Sequence, residues 1–201
     1  MSVDIEKLSA KTSSVIENMC SEERAAKLVD LLEKIGLEKY FTAPASSKEQ
    51  FHNCFPGGLA QHNLNVVNSL IELDAIVDGG FDPETLCVVG ILHDIGKVVN
   101  TDLVEFYSLE TERWKIERGE IYSKNDGKVY LPTHQRTMWL ITHFGFELSI
   151  EEYQAILLND GQYLAENKAY ANKECVLADL LHMADKISLI KEKAAETKDK
   201  S

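Results

Sequence analysis

Residues 82–97 read DPETLCVVGILHDIGK, and the fold turns on this stretch. Asp82-Pro83-Glu84 is a helix start: a capping residue, a proline in the first turn where its missing N–H is no loss, and an acidic residue facing the helix dipole. The helix that follows carries Leu86, Val88, Val89, Ile91 and Leu92. It is apolar nearly all round, which predicts a place at the centre of the domain. Near its end stand His93 and Asp94. An ionisable pair there is expensive unless each group is paired or bound to a metal. Consecutive helical residues point about 100° apart, so both can meet one ion only off the helix end or side. Gly96 thins the backbone nearby, and Lys97 adds a cation one turn from His93.

Two flanking segments repeat the pattern. In FPGGLAQHNLNVV, residues 55–67, Gly57 and Gly58 close a loop-like stretch over 42–58 and release a helix from about 59 to 73. His62 lies on it with Leu59, Val66 and Val67; taken alone, such a residue is more often a satisfied core histidine than a ligand. In VLADLLHMADKIS, residues 176–188, Ala178, Leu181 and Asp185 share one helical face. A carboxylate on an apolar stripe needs a strong partner, and for one aspartate alone a core salt bridge or helix cap would serve. Jointly, three core-facing helices offer His62, the His93-Asp94 pair and Asp185. Two imidazoles and two carboxylates suit a divalent ion, Mn, Fe, Co, Ni, Zn or Mg, with positions left for water.

Further helices are expected over 3–19, over 22–35 (capped by Ser21 and stopped by Gly36), over 134–145, over 150–159 (opened by a capping box at Ser149 and stopped near Gly161) and over 173–193. Residues 104–131 change character, rich in aromatic and β-branched residues. Asn125-Asp126-Gly127 there is a hairpin-turn pattern, so the stretch reads as a β-hairpin or irregular flap inserted between helices. The expected fold class is all-α with a short β-hairpin insert, a single domain over 1–201. Residues 1–45 form an N-terminal helical extension, 46–193 the core, and 194–201 a frayed tail.

Composition narrows the function. The 201 residues carry a formal net charge of −12, which argues against a broad duplex-binding surface, because phosphate contacts need clustered Lys and Arg. A small anionic ligand is compatible with it, since one metal ion and one or two local cations can reverse the field inside a cleft. No window reaches the apolar length of a membrane span, and MSVDIEKLSAK has no apolar core of a secretory leader. Cys20, Cys54, Cys87 and Cys175 are dispersed and read as free buried thiols, which points to the cytoplasm.

The order His62, His93-Asp94, Asp185 resembles the HD-domain superfamily of metal-dependent phosphohydrolases. The likeness extends to the His52–His62 segment with its Gly57-Gly58-Leu59, the LHDIGK block at 92–97 and the HMAD block at 182–185, across roughly residues 50 to 190. The resemblance implies the HD helical fold, with His62, His93, Asp94 and Asp185 on the metal. Asp94 would also orient or deprotonate the attacking water. Lys97 sits where members often keep a phosphate-facing cation, although a solvated helix-end lysine is an equal reading. His134, in LPTHQRTMWLI, is expected in the cleft against phosphate or a second metal, and Arg136 is either a phosphate clamp or a surface charge. Many relatives place another histidine where this chain has Asn159-Asp160-Gly161, so one ion is expected rather than two.

The other residues are read from their neighbours. His52 either lines the cleft mouth or is an exposed loop histidine. His143 and His182 read as structural, His182 being one turn before Asp185 and able to orient it. Trp114, Tyr107, Tyr122 and Tyr130 would either form a lid that stacks on a base or pack the insert. The implied reaction is hydrolysis of a phosphate ester. The substrate is a small phosphorylated molecule, by analogy a nucleotide, which implies a nucleotide phosphatase or phosphodiesterase. A single-strand 3'-5' exonuclease and a non-catalytic metal-binding regulatory module are the alternatives, and a homo-oligomer is compatible with all of these.

Overall fold

A computed structural model describes residues 3–98, 105–125, 129–161 and 164–199. Its α-helices are α1 (Ile5–Met19), α2 (Glu22–Ile35), α3 (Leu37–Thr42), α4 (Gly58–Val77), α5 (Pro83–Leu92), α6 (Arg113–Ile116), α7 (Thr133–His143), α8 (Ile150–Leu157) and α9 (Val176–Asp199). Short 3-10 turns cover Ile95–Lys97 and Ala165–Tyr170, and the strands β1 (Tyr107–Leu109) and β2 (Tyr122–Lys124) pair antiparallel. This is the helical fold with a short hairpin that the sequence predicts.

The centre is built as the apolar pattern requires. Every residue of α5 from Leu86 to Leu92 is buried, and α4 packs most extensively against α9 and α5. Gly90 lets α4 and α5 approach closely: a Cβ there would lie 2.6 Å from the Val67 side chain. Polar groups inside this interface find partners. Asn63 of α4 donates to the Ile91 carbonyl at 2.8 Å, and the Ser69 and Ser188 hydroxyls meet across α4 and α9 at 3.0 Å. The outer helices are capped as expected. Ser21 accepts from the Arg24 amide, and Ser149 with Glu152 forms the reciprocal capping box. Glu152 also receives Arg24 at 2.7 Å, joining α2 to α8.

Several boundaries differ from expectation. Gly36, at φ 123°, ends α2 and at once opens α3, whose Tyr40 and Phe41 are buried; six residues are too few for periodicity to reveal. α4 runs on past residue 73 to Val77. α9 begins at Val176 rather than Lys173 and continues to Asp199, through most of the stretch expected to fray. The hairpin closes through residues 110–121, including α6, with Leu109 opposite Tyr122. The Asn125-Asp126-Gly127 pattern therefore follows β2 instead of joining the strands, and its Asp126 and Gly127 lie outside the described residues. Glu110 organises the actual connection, accepting from the Thr111 and Glu112 amides and from the Ser123 hydroxyl. The insert docks on the loop before α4: the Ile121 and Tyr122 amides donate to Ser47 O, and Lys48 pairs with Glu120 at 2.8 Å.

Among the described residues no helix is long and apolar enough to cross a membrane. None of the four cysteines forms a disulfide, but only Cys87 is buried; Cys20, Cys54 and Cys175 are partly exposed, contrary to the expectation of buried thiols.

Candidate metal centre

The end of α5 solves the geometric problem posed by adjacent His93 and Asp94. The last regular residue is Leu92, and the His93 amide still bonds Val89 O at 3.0 Å. Asp94 then leaves the helix at φ −114°, ψ 13° and starts the short turn over Ile95–Lys97. That break swings its carboxylate to within 3.7 Å of His93 Nε2. Helix α7 holds the turn in place. The Thr137 hydroxyl accepts from the Gly96 amide at 2.9 Å and donates to His93 O at 3.3 Å, while Arg136 Nε donates to Gly96 O at 2.7 Å. Arg136 is only 4 % exposed and its guanidinium lies over the Phe106 ring, so the surface-charge reading of this residue does not hold. At Gly96 a Cβ would fall 2.3 Å from Thr133 O and 2.7 Å from Thr137 N; only glycine permits this contact.

The two histidines are held with one nitrogen facing inwards. His93 Nδ1 lies 2.9 Å from Gly90 O. A carbonyl only accepts, so Nδ1 carries the proton and Nε2 presents its lone pair. His62 Nδ1 lies 3.1 Å from both oxygens of Glu192, a buried carboxylate that Asn65 also holds at 2.7 Å. In the neutral ring this partner likewise leaves the lone pair on Nε2. Both Nε2 atoms are buried without a hydrogen-bond partner, and His62 Nε2 stands 2.9 Å from Asp185 Oδ1 outside hydrogen-bonding geometry.

The donor atoms of His62, His93 and Asp94 all lie within 4.8 Å of one another, and Asp185 joins them through His62. Orphaned imidazole nitrogens facing carboxylates in a buried pocket are what a divalent ion would satisfy, so these residues fit one. A second donor group, His52, His62 and Glu192, shares the His62 ring, whose Nδ1 is already engaged by Glu192.

The carboxylates around the cluster favour a charged His62 ring, so an ion taken up at its Nε2 would displace a proton. Burial disfavours the His62 imidazolium, but Asp185 and Glu192 outweigh it and raise the ring to about 9. His93, buried with fewer carboxylates about it, is pushed down instead. Burial opposes ionisation of Asp94, yet Lys97 and the two histidines hold it below the usual carboxylate range. Asp185 is likewise held low, His62 overriding burial.

A cleft of about 430 Å³ opens over this cluster, with Asp94, Lys97, Asp185, His52 and Tyr107 in its lining. Lys97 is not a solvated helix-end lysine. Its Nζ bonds Asp94 Oδ2 at 2.5 Å and Ala45 O at 2.9 Å, and despite burial Asp94 raises its pKa. His52 is partly buried rather than exposed, its ring 4.7 Å from that of His62; burial and His62 lower it to about 4, so it is neutral. His134 is buried just behind the cleft. Its nitrogens face Asp160 at 3.7 Å and Glu166 at 3.9 Å, while Thr133 and Asp160 line the cleft itself.

Asn159 also lines the cleft, its Oδ1 buried without a partner. His182 bonds Asn159 O at 2.9 Å, so it braces that residue rather than Asp185. His143, exposed at the end of α7, stacks on Trp139. Of the four aromatic residues of the insert, Tyr107 lines the cleft, whereas Trp114 is 53 % exposed. Glu192 is the residue that sequence reasoning missed. Its seven-residue spacing from Asp185 puts it on the same face of α9, with the buried Ser188 between them, but the KEKAAE stretch around it reads as a solvated surface.

Two buried imidazoles and two carboxylates beneath an open cleft are a donor set that suits a divalent ion. The HD domain family model matches residues 59–190, and the chain belongs to that family. No curated protein and no solved structure matches the chain significantly. The matched segment contains His62, His93, Asp94 and Asp185; His52 and α1–α3 precede it.

Proposed function

We propose that the protein hydrolyses a phosphate ester of a nucleotide, with His62, His93, Asp94 and Asp185 as ligands of one divalent ion. The observation that carries this reading is the pair of buried Nε2 atoms without partners, set beside two carboxylates at the floor of a cleft. A divalent ion in that donor set supplies Lewis acidity to a phosphoryl oxygen and to the attacking water. Asp94 stays ionised, accepts a hydrogen bond from the water and takes its proton. Lys97, permanently charged and fixed by Ala45 O, offsets the charge that develops on the phosphoryl group. Neutral His52 borders the substrate at the cleft mouth. His134, whose contacts to Asp160 and Glu166 are longer than hydrogen bonds, turns to the phosphate. Arg136 serves the substrate indirectly, by holding Gly96 and with it the turn that carries Lys97.

The nucleotide assignment is supported by the aromatic residues at the cleft. Phe51 is 44 % exposed on the rim, Tyr107 stands in the lining, and the volume suits a ligand of that size. The test is a panel of mononucleotides, cyclic nucleotides and short oligonucleotides, offered to metal-stripped protein re-supplied with Mn, Mg, Co or Ni. Metal-dependent hydrolysis of mononucleotides, abolished by Asp94→Ala, is the expected result. A preference for oligonucleotides would favour an exonuclease, and metal binding without turnover on any substrate would favour a regulatory module.

A further inference from the structure

Two cysteines that the metal centre does not use meet where α1 packs on α5. Cys20 closes α1: its amide bonds Ile16 O at 3.0 Å, and its extended backbone lets the next residue, Ser21, open α2. Ser21 is tied to the start of α5, its amide and hydroxyl both donating to Glu84 Oε2, at 2.8 and 2.7 Å. Cys87 stands three residues beyond Glu84 on the same face of α5. That anchor brings the two sulfurs together, and the Cys87 S–H donates to the Cys20 sulfur. The residues between them leave no local pattern that announces the pair, because the contact joins positions 67 residues apart.

The two thiols have unlike surroundings. Cys20 is partly exposed, whereas Cys87 is 0 % exposed. The hydrogen bond from Cys87, helped by the Arg24 guanidinium, holds the Cys20 thiol below its ordinary value against burial and Glu84. The same contact, together with burial, pushes Cys87 up. The thiolate is the reactive form of cysteine, so Cys20 is the nucleophile and Cys87 the resolving thiol beneath it. Cys175 is placed differently: burial pushes it up, and its S–H donates to Glu151 O at 3.7 Å. Position matters as well. Cys87 lies within the residues that the HD domain family model matches, and Cys20 precedes them. The pair therefore joins the N-terminal helices to the domain core. On α5 it stands six residues before His93, about 9 Å along the axis.

We propose that Cys20 and Cys87 form an oxidisable dithiol, which a hydroperoxide converts to a disulfide linking the N-terminal helices to α5. In the first step the Cys20 sulfur attacks the hydroperoxide. An S–O bond forms, the O–O bond breaks, and the alcohol or water that leaves takes the thiol proton, giving a sulfenic acid on Cys20. In the second step the Cys87 sulfur attacks that of Cys20. The S–S bond forms, the S–O bond breaks, and water leaves with the Cys87 proton. The two thiols together lose two electrons and two protons, and the hydroperoxide is reduced by the same two electrons. Neither step involves the metal centre or the hydrolytic reaction.

The experiment treats the intact protein, reduced and desalted, with a small excess of hydrogen peroxide. It then reads the intact mass, the unreduced peptide map after the remaining thiols are blocked, and the Tm. The mass is expected to fall by about 2 Da, the two hydrogens lost, with one peptide pair linked through Cys20 and Cys87. The bond closes a long loop in the unfolded chain, so Tm should rise by about 5–10 °C. Dithiothreitol should reverse both changes. In Cys87→Ala the resolving thiol is gone, and dimedone should capture a sulfenic acid on Cys20. Cys20→Ser, at a partly exposed position outside the core, should leave Cys87 reduced. No linked peptide, a linkage between two chains, or a linked peptide with an unchanged or lower Tm overturns the inference. Cys87 oxidised as readily in Cys20→Ser as in the unaltered protein overturns it too.

Discussion

Glu192 faces His62 from behind with 4 % of its side chain exposed, and Asn65 holds it there. A carboxylate in this position sets the ring orientation and makes Nε2 a better donor. Glu192→Gln keeps the shape and removes the charge, so it should weaken divalent-ion affinity about 10- to 100-fold, read by competition with a chelating dye. An unchanged affinity would show that Glu192 only fills space. Replacing His93 or Asp94 by alanine should empty the site outright, and elemental analysis of purified variants checks this. Asp185→Asn separates two roles. As a ligand its loss lowers metal content while the protein stays folded; as a plain partner of His62 its loss costs stability, about 3 kcal/mol, with metal content retained. At this scale the sequence was informative wherever an ionisable side chain interrupts an apolar face. His62, His93, Asp94 and Asp185 all do so, whereas Glu192 sits among other charged residues and does not.

Between elements, the turn after α5 depends on α7. Gly96 is pressed against the backbone at Thr133 and Thr137 with no room for a methyl group. Gly96→Ala must push α7 away and should destabilise the protein by about 1–3 kcal/mol, measured by urea unfolding. The same displacement moves Asp94 and Lys97, so metal affinity should fall with stability; a stability loss with unaltered affinity would mean that the turn holds its shape without α7. The insert shows how an element can be identified while its closure is misplaced. Aromatic and β-branched residues mark the two strands. The Asn-Asp-Gly pattern, however, competes with Glu110, whose carboxylate ties Thr111, Glu112 and Ser123 together and makes the longer connection the one that closes.

Across the whole molecule, the bound ion would cross-link α4 with α9 and with the end of α5, the two helices that α4 packs against most extensively. A ligand that binds only the folded state stabilises it by about 2.7 kcal/mol when present at a hundred times its dissociation constant. For a chain of this length that raises Tm by about 5–10 °C. Calorimetry of metal-stripped protein with and without Mn should show the shift. EDTA should reverse it, and Asp94→Ala should lack it. An identical Tm in all these states would mean that no ion sits between the helices.

Helix periodicity, caps and the cost of burying an ionisable group are properties of short stretches, so the sequence by itself determined the all-α class, the buried centre at α5 and the four candidate metal-holding residues. What lies across the packed helices is different in kind. His62 and Glu192 are 130 residues apart and meet only because α4 lies along α9. Arg136 is drawn under the insert to the Gly96 carbonyl, His182 turns to Asn159 rather than Asp185, and Lys186 and Lys193 come to line the cleft opened by Asp94. Each of these depends on the angle and register at which whole elements pack, which no local pattern encodes. The tertiary structure alone decided them.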